Sequence, residues 1–70
     1  MALREERLAL ARERSVPPYV VCHDRTLLGL AVHRPTTDGG LSGVHGMGPA
    51  RIEAYGARFI AVIERNAGLS

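Results

Sequence analysis

The sequence LSGVHGMGPARIEAYG, from Leu41 to Gly56, decides the fold because a glycine-rich turn leads directly into the last predicted helix. Gly46-Met47-Gly48 allows a backbone turn that a residue with a side chain would resist. Pro49 suits the first turn of a helix, where its missing N–H has no intrahelical partner. The helix start therefore carries unpaired N–H groups and the positive end of the helix dipole, a combination that attracts phosphate.

Length and composition predict one small helical domain. The chain has 70 residues, of which 46% are apolar, with one Phe, two Tyr and no Trp. Such a composition suits a compact helical unit better than an aromatic-rich barrel. The single cysteine, Cys22, excludes an internal disulfide, and together with three scattered histidines it does not form a metal site. Without a disulfide, an intracellular, cytoplasmic location is the default expectation. No apolar run approaches the roughly 20 residues of a membrane span, so we also expect a soluble protein.

The overall charge is only mildly basic. The formal net charge is +2, and all nine basic residues are arginine. An excess this small does not by itself indicate nucleic-acid binding, which usually appears as a concentrated basic face. The positions of the arginines therefore matter more than their number.

Helix formers, prolines and capping residues predict five helices. They span 3–14, a short turn over 18–21, 24–34, 38–42 and 49–66. Asp24 is predicted to cap the third helix with its carboxylate, and Thr36 or Thr37 to cap the fourth. Because Arg7 and Arg14 fall on or beside the apolar face of the first helix, one or both are predicted to pair with a carboxylate or helix-end carbonyls. The predicted buried side of the third helix comprises Leu27, Leu28, Leu30 and Ala31.

The last helix has three distinct faces at helical spacing. Its apolar stripe comprises Ile52, Tyr55, Gly56, Phe59 and Ile63. Arg51, Arg58 and Arg65 form a basic edge on one side, and Glu53 and Glu64 form an acidic edge on the other. Gly56 within the stripe indicates close approach by another backbone, and Gly68 is placed to end the helix.

These segments together resemble the HRDC domain, the helicase-and-RNase-D C-terminal module of RecQ-type DNA helicases. The resemblance covers residues 3–63. Its most specific parts are Val16-Pro17-Pro18-Tyr19-Val20-Val21, Asp24-x-Thr26-Leu27, Arg34-Pro35-Thr36, and Gly46-Met47-Gly48 followed by Tyr55-Gly56. The resemblance implies an all-α fold, a compact orthogonal bundle of about five helices with packing similar to SAM and helix-hairpin-helix domains. It also implies that residues 1–70, with a core over 3–66, form one module of a larger protein.

The resemblance further implies a non-catalytic accessory domain of a RecQ-type, ATP-dependent DNA helicase, with an RNase D-type exonuclease as the next host. Such a domain tunes DNA binding and the choice of DNA structure through phosphate contacts, in repair, recombination and replication. The expected partner is single-stranded or branched DNA, bound weakly and in a salt-sensitive way, at the nucleoid if the source is bacterial. We expect no catalytic residue, metal, cofactor, small-molecule substrate or membrane contact in this domain.

The sequence also departs from its relatives in the turn region. They often carry lysines after the turn, whereas this chain has Pro49, Ala50 and a single Arg51, and Ala54 stands where a basic residue is common. Gly39-Gly40 lies where polar helix formers are usual. A diluted basic face leaves a second hypothesis open, in which the domain docks on other domains of the same helicase as a protein-interaction or autoregulatory module.

The predicted nucleic-acid-binding residues surround the turn and follow the basic edge. They are Arg34, His45, Gly46, Met47, Gly48, Arg51 and Arg58. The alternative for the turn is a purely structural role, and the alternative for the basic edge is a solvated helix flank. Met47 is predicted to lie in the core. Tyr19 and Tyr55 could stack on bases, but their apolar neighbours favour core positions for both.

Overall fold

The computed structural model describes residues 2–67, and this part of the chain contains five helices and no strand. The helices are α1 (Ala2–Arg14), α2 (Pro18–Val21), α3 (Asp24–His33), α4 (Asp38–Ser42) and α5 (Pro49–Ala67). The predicted all-α fold and all five predicted helices are therefore confirmed, with ends that differ by one residue at most. Gly68, predicted to end the last helix, lies outside the described residues.

One apolar core lies between α1, α3 and α5, and its largest fully buried side chain is Phe59. Around it lie Leu27 and Leu30 from α3, Leu41 from α4 and Val21 from α2, all without significant exposure. α1 packs against α2, α3 and α5, and α4 packs against α5. The hairpin, which we define as residues 43–48 between α4 and α5, is thus held on a scaffold of longer helices.

The apolar stripe of α5 is close to the one predicted. Tyr55, Gly56, Phe59 and Ile63 are buried, whereas Ile52 is only half-buried. The prediction that another backbone approaches Gly56 is wrong. A Cβ at Gly56 would instead lie 3.0 Å from Cδ1 of the Leu41 side chain. Gly56 therefore makes room for the side chain that anchors α4.

A buried arginine joins α1 to the connection between α2 and α3. Nη1 of Arg7 donates to the carbonyl of Cys22 at 3.1 Å and to Oδ1 of Asp24 at 2.8 Å, which confirms the predicted pairing of Arg7. The prediction that Asp24 caps α3 is wrong, because His23 occupies the N-cap and makes no side-chain capping bond. A carboxylate gains more from a charged guanidinium than from a neutral backbone N–H, so Asp24 bonds Arg7.

The outer face of α3 contains an exposed apolar pair. Leu28 is 63% exposed and Val32 is 67% exposed, so the prediction that Leu28 is buried is wrong. Because the helix turns about 100° per residue, Leu28 lies on the side of α3 opposite to Thr26 and Leu30. Those two residues face the core, so Leu28 faces outward. Burial of α3 is thus limited to one side.

The segment that leads to the hairpin begins with a left-handed residue and a threonine cap. Arg34 has φ 49° and its N–H donates to the carbonyl of Leu30 at 2.9 Å, which ends α3. Of the two predicted caps for α4, Thr37 is the one used, since its Oγ1 accepts from the N–H of Gly40 at 2.9 Å. This bond caps the first turn of α4, the short helix that leads to the hairpin.

We predict that Arg7→Ala lowers the free energy of unfolding by about 2–3 kcal/mol, because the buried Cys22 carbonyl loses its donor and the buried stem leaves a void. Urea unfolding followed by circular dichroism measures the change. Arg12→Ala on the exposed face of α1 is the matched control and should alter stability by about 0.5 kcal/mol or less. Equal effects of the two substitutions would contradict a structural role for Arg7.

Candidate nucleic-acid interface

The hairpin turn depends on Gly46. This residue has φ +89°, a backbone conformation that residues with side chains rarely adopt. A Cβ at Gly46 would also collide with Oγ1 of Thr26, near the start of α3. Met47, the next residue, is only 3% exposed and its N–H donates to the carbonyl of Val44 at 3.0 Å, so its predicted core position is confirmed. Met47 can therefore offer a ligand little beyond its backbone.

Gly48 differs from Gly46 because nothing in its surroundings requires a glycine. A Cβ there would meet no atom within 4 Å, and the residue is exposed. Its carbonyl accepts from the N–H of Ile52 at 3.0 Å, so Gly48 is the N-cap of α5. Among residues 2–67, no acceptor receives the N–H of Ala50 or Arg51, and Pro49 has no N–H. The start of α5 is therefore bare, as the sequence predicted, and open to an anion.

Arg51 lies beside these amides but is itself bound to the protein. Its Nε donates to the carbonyl of Val21 at 2.8 Å, and its Nη1 donates to the carbonyl of Gly46 at 3.3 Å. The guanidinium is half-buried and lines a shallow, open depression together with the exposed His45 and the turn. The structure thus brings His45, Gly46, Gly48 and Arg51 together.

The basic edge of α5 is not a free surface at Arg58. Its guanidinium donates to Glu6 at 2.6 Å and, in a two-pronged arrangement, to both carboxylate oxygens of Glu13 at 3.0 and 2.9 Å. Arg65 lies 3.9 Å from the other oxygen of Glu6. Carboxylates of α1 thus pair with the basic edge at Arg58 and Arg65. A DNA contact by Arg58 stays an untested prediction, and we leave Arg58 outside the interface.

The same ion pairs shift the titration of their members. Hydrogen bonding to Arg58 lowers the pKa of Glu13 below its ordinary value of 4.5, and hydrogen bonding to Glu13 and Glu6 raises the pKa of Arg58. The hydrogen bond from Arg7 likewise lowers the pKa of Asp24 below 3.8. Glu13, Asp24 and Arg58 are therefore charged near neutral pH.

Arg34 lies at the opposite end of α3 from the residue that contacts Gly46. It follows the last residue of α3, whereas Thr26, which contacts Gly46, lies in the first turn. Eight residues of helix separate the two positions by about 12 Å. The proposed DNA contact of Arg34 also stays an untested prediction, at a point apart from the depression.

The two tyrosines differ sharply in exposure. Tyr55 is 8% exposed, as predicted, and the guanidinium of Arg14 lies 4.8 Å from its ring centre. Tyr19 is 61% exposed, so its predicted core position is wrong. Because α2 is a single turn that buries only Val21, its other side chains project outward. The ring of Tyr19 stacks on His23 with centres 6.3 Å apart and planes at 21°.

Other kinds of site find little support in residues 2–67. No group of three or more metal-ligating side chains is present there, and no helix in that range is long and apolar enough to cross a membrane. Cys22 is fully buried, and the burial raises the pKa of its thiol. The buried thiol is thus poorly placed for reaction with a ligand.

The fold and the hairpin define the class of protein. A sequence model of the HRDC domain family matches residues 1–63, and the chain belongs to that family. The solved structure of D. radiodurans RecQ HRDC domain 3 superimposes with a TM-score of 0.88 at 42% identity, covering 99% of this chain and 88% of that one. The resemblance identified from the sequence motifs is therefore confirmed.

Similar curated proteins are much longer than this chain. The ATP-dependent DNA helicase UvrD2 of Mycobacterium tuberculosis is 36% identical over 63 residues, which cover 90% of this chain and 9% of the helicase. The ATP-dependent DNA helicase RecQ of Haemophilus influenzae is 33% identical over 64 residues, 91% of this chain and 10% of that protein. The chain thus spans about a tenth of the relatives that it matches.

We predict that the two hairpin glycines respond differently to alanine. Gly46→Ala should lower the free energy of unfolding by about 2–3 kcal/mol, since it adds backbone strain and a clash with Thr26. Gly48→Ala should lower the free energy of unfolding by about 0.5 kcal/mol, because alanine is slightly less favourable than glycine at an N-cap. Thermal and urea unfolding of both variants measure this difference. Similar losses of unfolding free energy in the two variants would contradict the predicted difference between Gly46 and Gly48.

We further predict that acid destabilises the domain partly through Glu13. A carboxyl whose pKa is lowered by folding contributes stability above its unfolded value, and this contribution is lost as the pH falls below about 4.5 through the folded value. Glu13→Gln should therefore flatten the decline in unfolding free energy between about pH 5 and pH 3. Glu53→Gln, at an exposed position of α5, is the control and should leave that decline unchanged.

Proposed function

We propose that this domain is a non-catalytic accessory module of an ATP-dependent DNA helicase and that it binds single-stranded DNA at the hairpin. The observation that carries the proposal is the group of bare amides at the start of α5 with the guanidinium of Arg51, which is itself bonded to the end of α2. Ala50 and Arg51 present their N–H groups at the start of α5, and the Arg51 side chain bonds the carbonyl of Val21 at the end of α2. Tyr19 and His23, two residues before and two residues after Val21, are exposed and stacked on each other.

The start of α5 and the ring of Tyr19 would bind different parts of a nucleotide. Backbone N–H groups at a helix start hold a phosphate without reading sequence, and Arg51 adds positive charge beside them. A ring such as that of Tyr19 offers a face on which an unpaired base can stack. Bases in a duplex already stack and pair, so a joint contact of this kind favours single-stranded or forked DNA. In the parent enzyme the module would hold a strand near the motor, within the DNA-containing compartment of the cell.

The proposed contact is weak because part of the positive charge of the domain is engaged in internal contacts. Three arginines, Arg7, Arg58 and Arg65, lie within ion-pair distance of carboxylates, and Arg51 shares its guanidinium with two carbonyls. A small number of phosphate contacts still makes affinity depend on salt, with a slope of about −0.7 in log–log form for each contact with a single strand. Such a module adjusts where the helicase binds and has no part in hydrolysing ATP.

A second candidate function is docking on another domain of the same helicase. The exposed pair Leu28 and Val32 on α3 favours it, because adjacent apolar side chains on a helix surface form a small hydrophobic patch. Absence of DNA binding even at low salt, combined with binding of this chain to the purified motor domain, would favour docking over the proposed DNA contact.

We predict that Tyr19→Ala weakens binding to a single-stranded oligonucleotide about tenfold, the loss expected when one base no longer stacks on an aromatic ring. Fluorescence anisotropy with labelled single-stranded, duplex and forked DNA measures it, at several salt concentrations. Thermal stability should change little because the ring is exposed.

The matched control is Val20→Ala, at an exposed apolar neighbour on α2 that lacks a ring. It should bind like the unaltered chain. An unaltered chain that binds duplex as tightly as single strands, or a Tyr19→Ala variant with unchanged affinity, would refute the stacking contact.

A further inference from the structure

We infer that Arg51 is a positioning residue, which fixes the hairpin relative to α2 so that phosphate and base are bound together. Its two donors bond two carbonyls that belong to different parts of the site, Val21 at the end of α2 and Gly46 in the turn. The two carbonyls lie 25 residues apart in the chain. The inference rests on the proposed function and gives Arg51 a role different from that of a simple phosphate ligand.

The two hydrogen bonds of Arg51 provide donors for backbone carbonyls. Val21 is fully buried, and the last carbonyls of a helix have no intrahelical donor. A short helix such as α2 therefore needs a donor from elsewhere, and Nε of Arg51 supplies it at 2.8 Å. The second bond, to Gly46, holds the residue whose positive φ forms the turn. One planar guanidinium thus spans both elements.

The geometry distinguishes this role from one that depends on charge alone. Nε and Nη1 are separate atoms of one rigid fork, whereas lysine has a single nitrogen on a flexible chain. Lysine at this position keeps the positive charge but cannot reproduce both bonds. Arg51→Lys therefore separates positioning from charge, because a phosphate ligand would tolerate lysine and a positioning residue would not.

The test compares Arg51→Lys with the unaltered chain in two measurements. We expect amide hydrogen exchange at Met47, whose N–H bonds the Val44 carbonyl within the turn, to accelerate about tenfold, with core amides of α5 unchanged. We expect affinity for single-stranded DNA to fall about tenfold, the effect of losing one charge-assisted hydrogen bond, with the slope against salt unchanged because the charge remains. Arg25→Lys, at an exposed position in the first turn of α3, is the matched control and should alter neither quantity.

Coupling to the aromatic ring provides an independent readout. If Arg51 aligns the turn with Tyr19, the double variant Arg51→Lys, Tyr19→Ala should lose less affinity than the product of the two single losses. Additive losses would overturn the positioning role, as would an Arg51→Lys variant that retains both affinity and exchange protection. Should the unaltered chain bind no DNA at low salt, the proposed function would fail, while hydrogen exchange would still decide whether Arg51 braces the turn.

Discussion

The structure depends on hydrogen bonds to two buried backbone carbonyls at the point where α2 leads into α3. Val21 and Cys22 are fully buried and consecutive, and each carbonyl accepts from an arginine of a different helix. Arg7 reaches Cys22 from α1, and Arg51 reaches Val21 from α5. Buried carbonyls without donors cost free energy comparable to a lost hydrogen bond, so these two side chains permit the chain to pass through the interior at this point. The connection thereby links the first helix, the last helix and the hairpin.

The helices and the hairpin could be predicted because their signals are local. Prolines mark the starts of α2 and α5, Thr37 caps α4, and the apolar stripe of α5 follows helical periodicity. Exposure was harder to predict, since it depends on which face has a neighbour. Tyr19 and Leu28 sit among apolar residues in sequence, yet the helices that could cover them pack elsewhere.

The roles of the arginines could be predicted only in part. Helical periodicity placed Arg7 on the apolar face of α1, and from that position its pairing followed. The same periodicity placed Arg58 on an edge of α5 but carried no information about α1, whose Glu6 and Glu13 lie opposite it. Partners distant in sequence are fixed by tertiary packing, so a run of like charges on one helix is not by itself a binding surface. The candidate site shrinks accordingly to the turn and its immediate neighbours.

The contrast between Gly46 and Gly48 has a consequence for how such a module can diverge. Gly46 is constrained by its backbone conformation and by Thr26, whereas Gly48, Ala50 and Ala54 are exposed, and Gly48 has free space around it. Substitutions at exposed helix positions usually change stability by only about 0.5 kcal/mol. Gly46, which shapes the turn, is therefore distinct from the exposed positions Gly48, Ala50 and Ala54, at which a substitution can add charge. The affinity of the domain for a ligand can therefore change, during evolution or by engineering, while its folding stays intact.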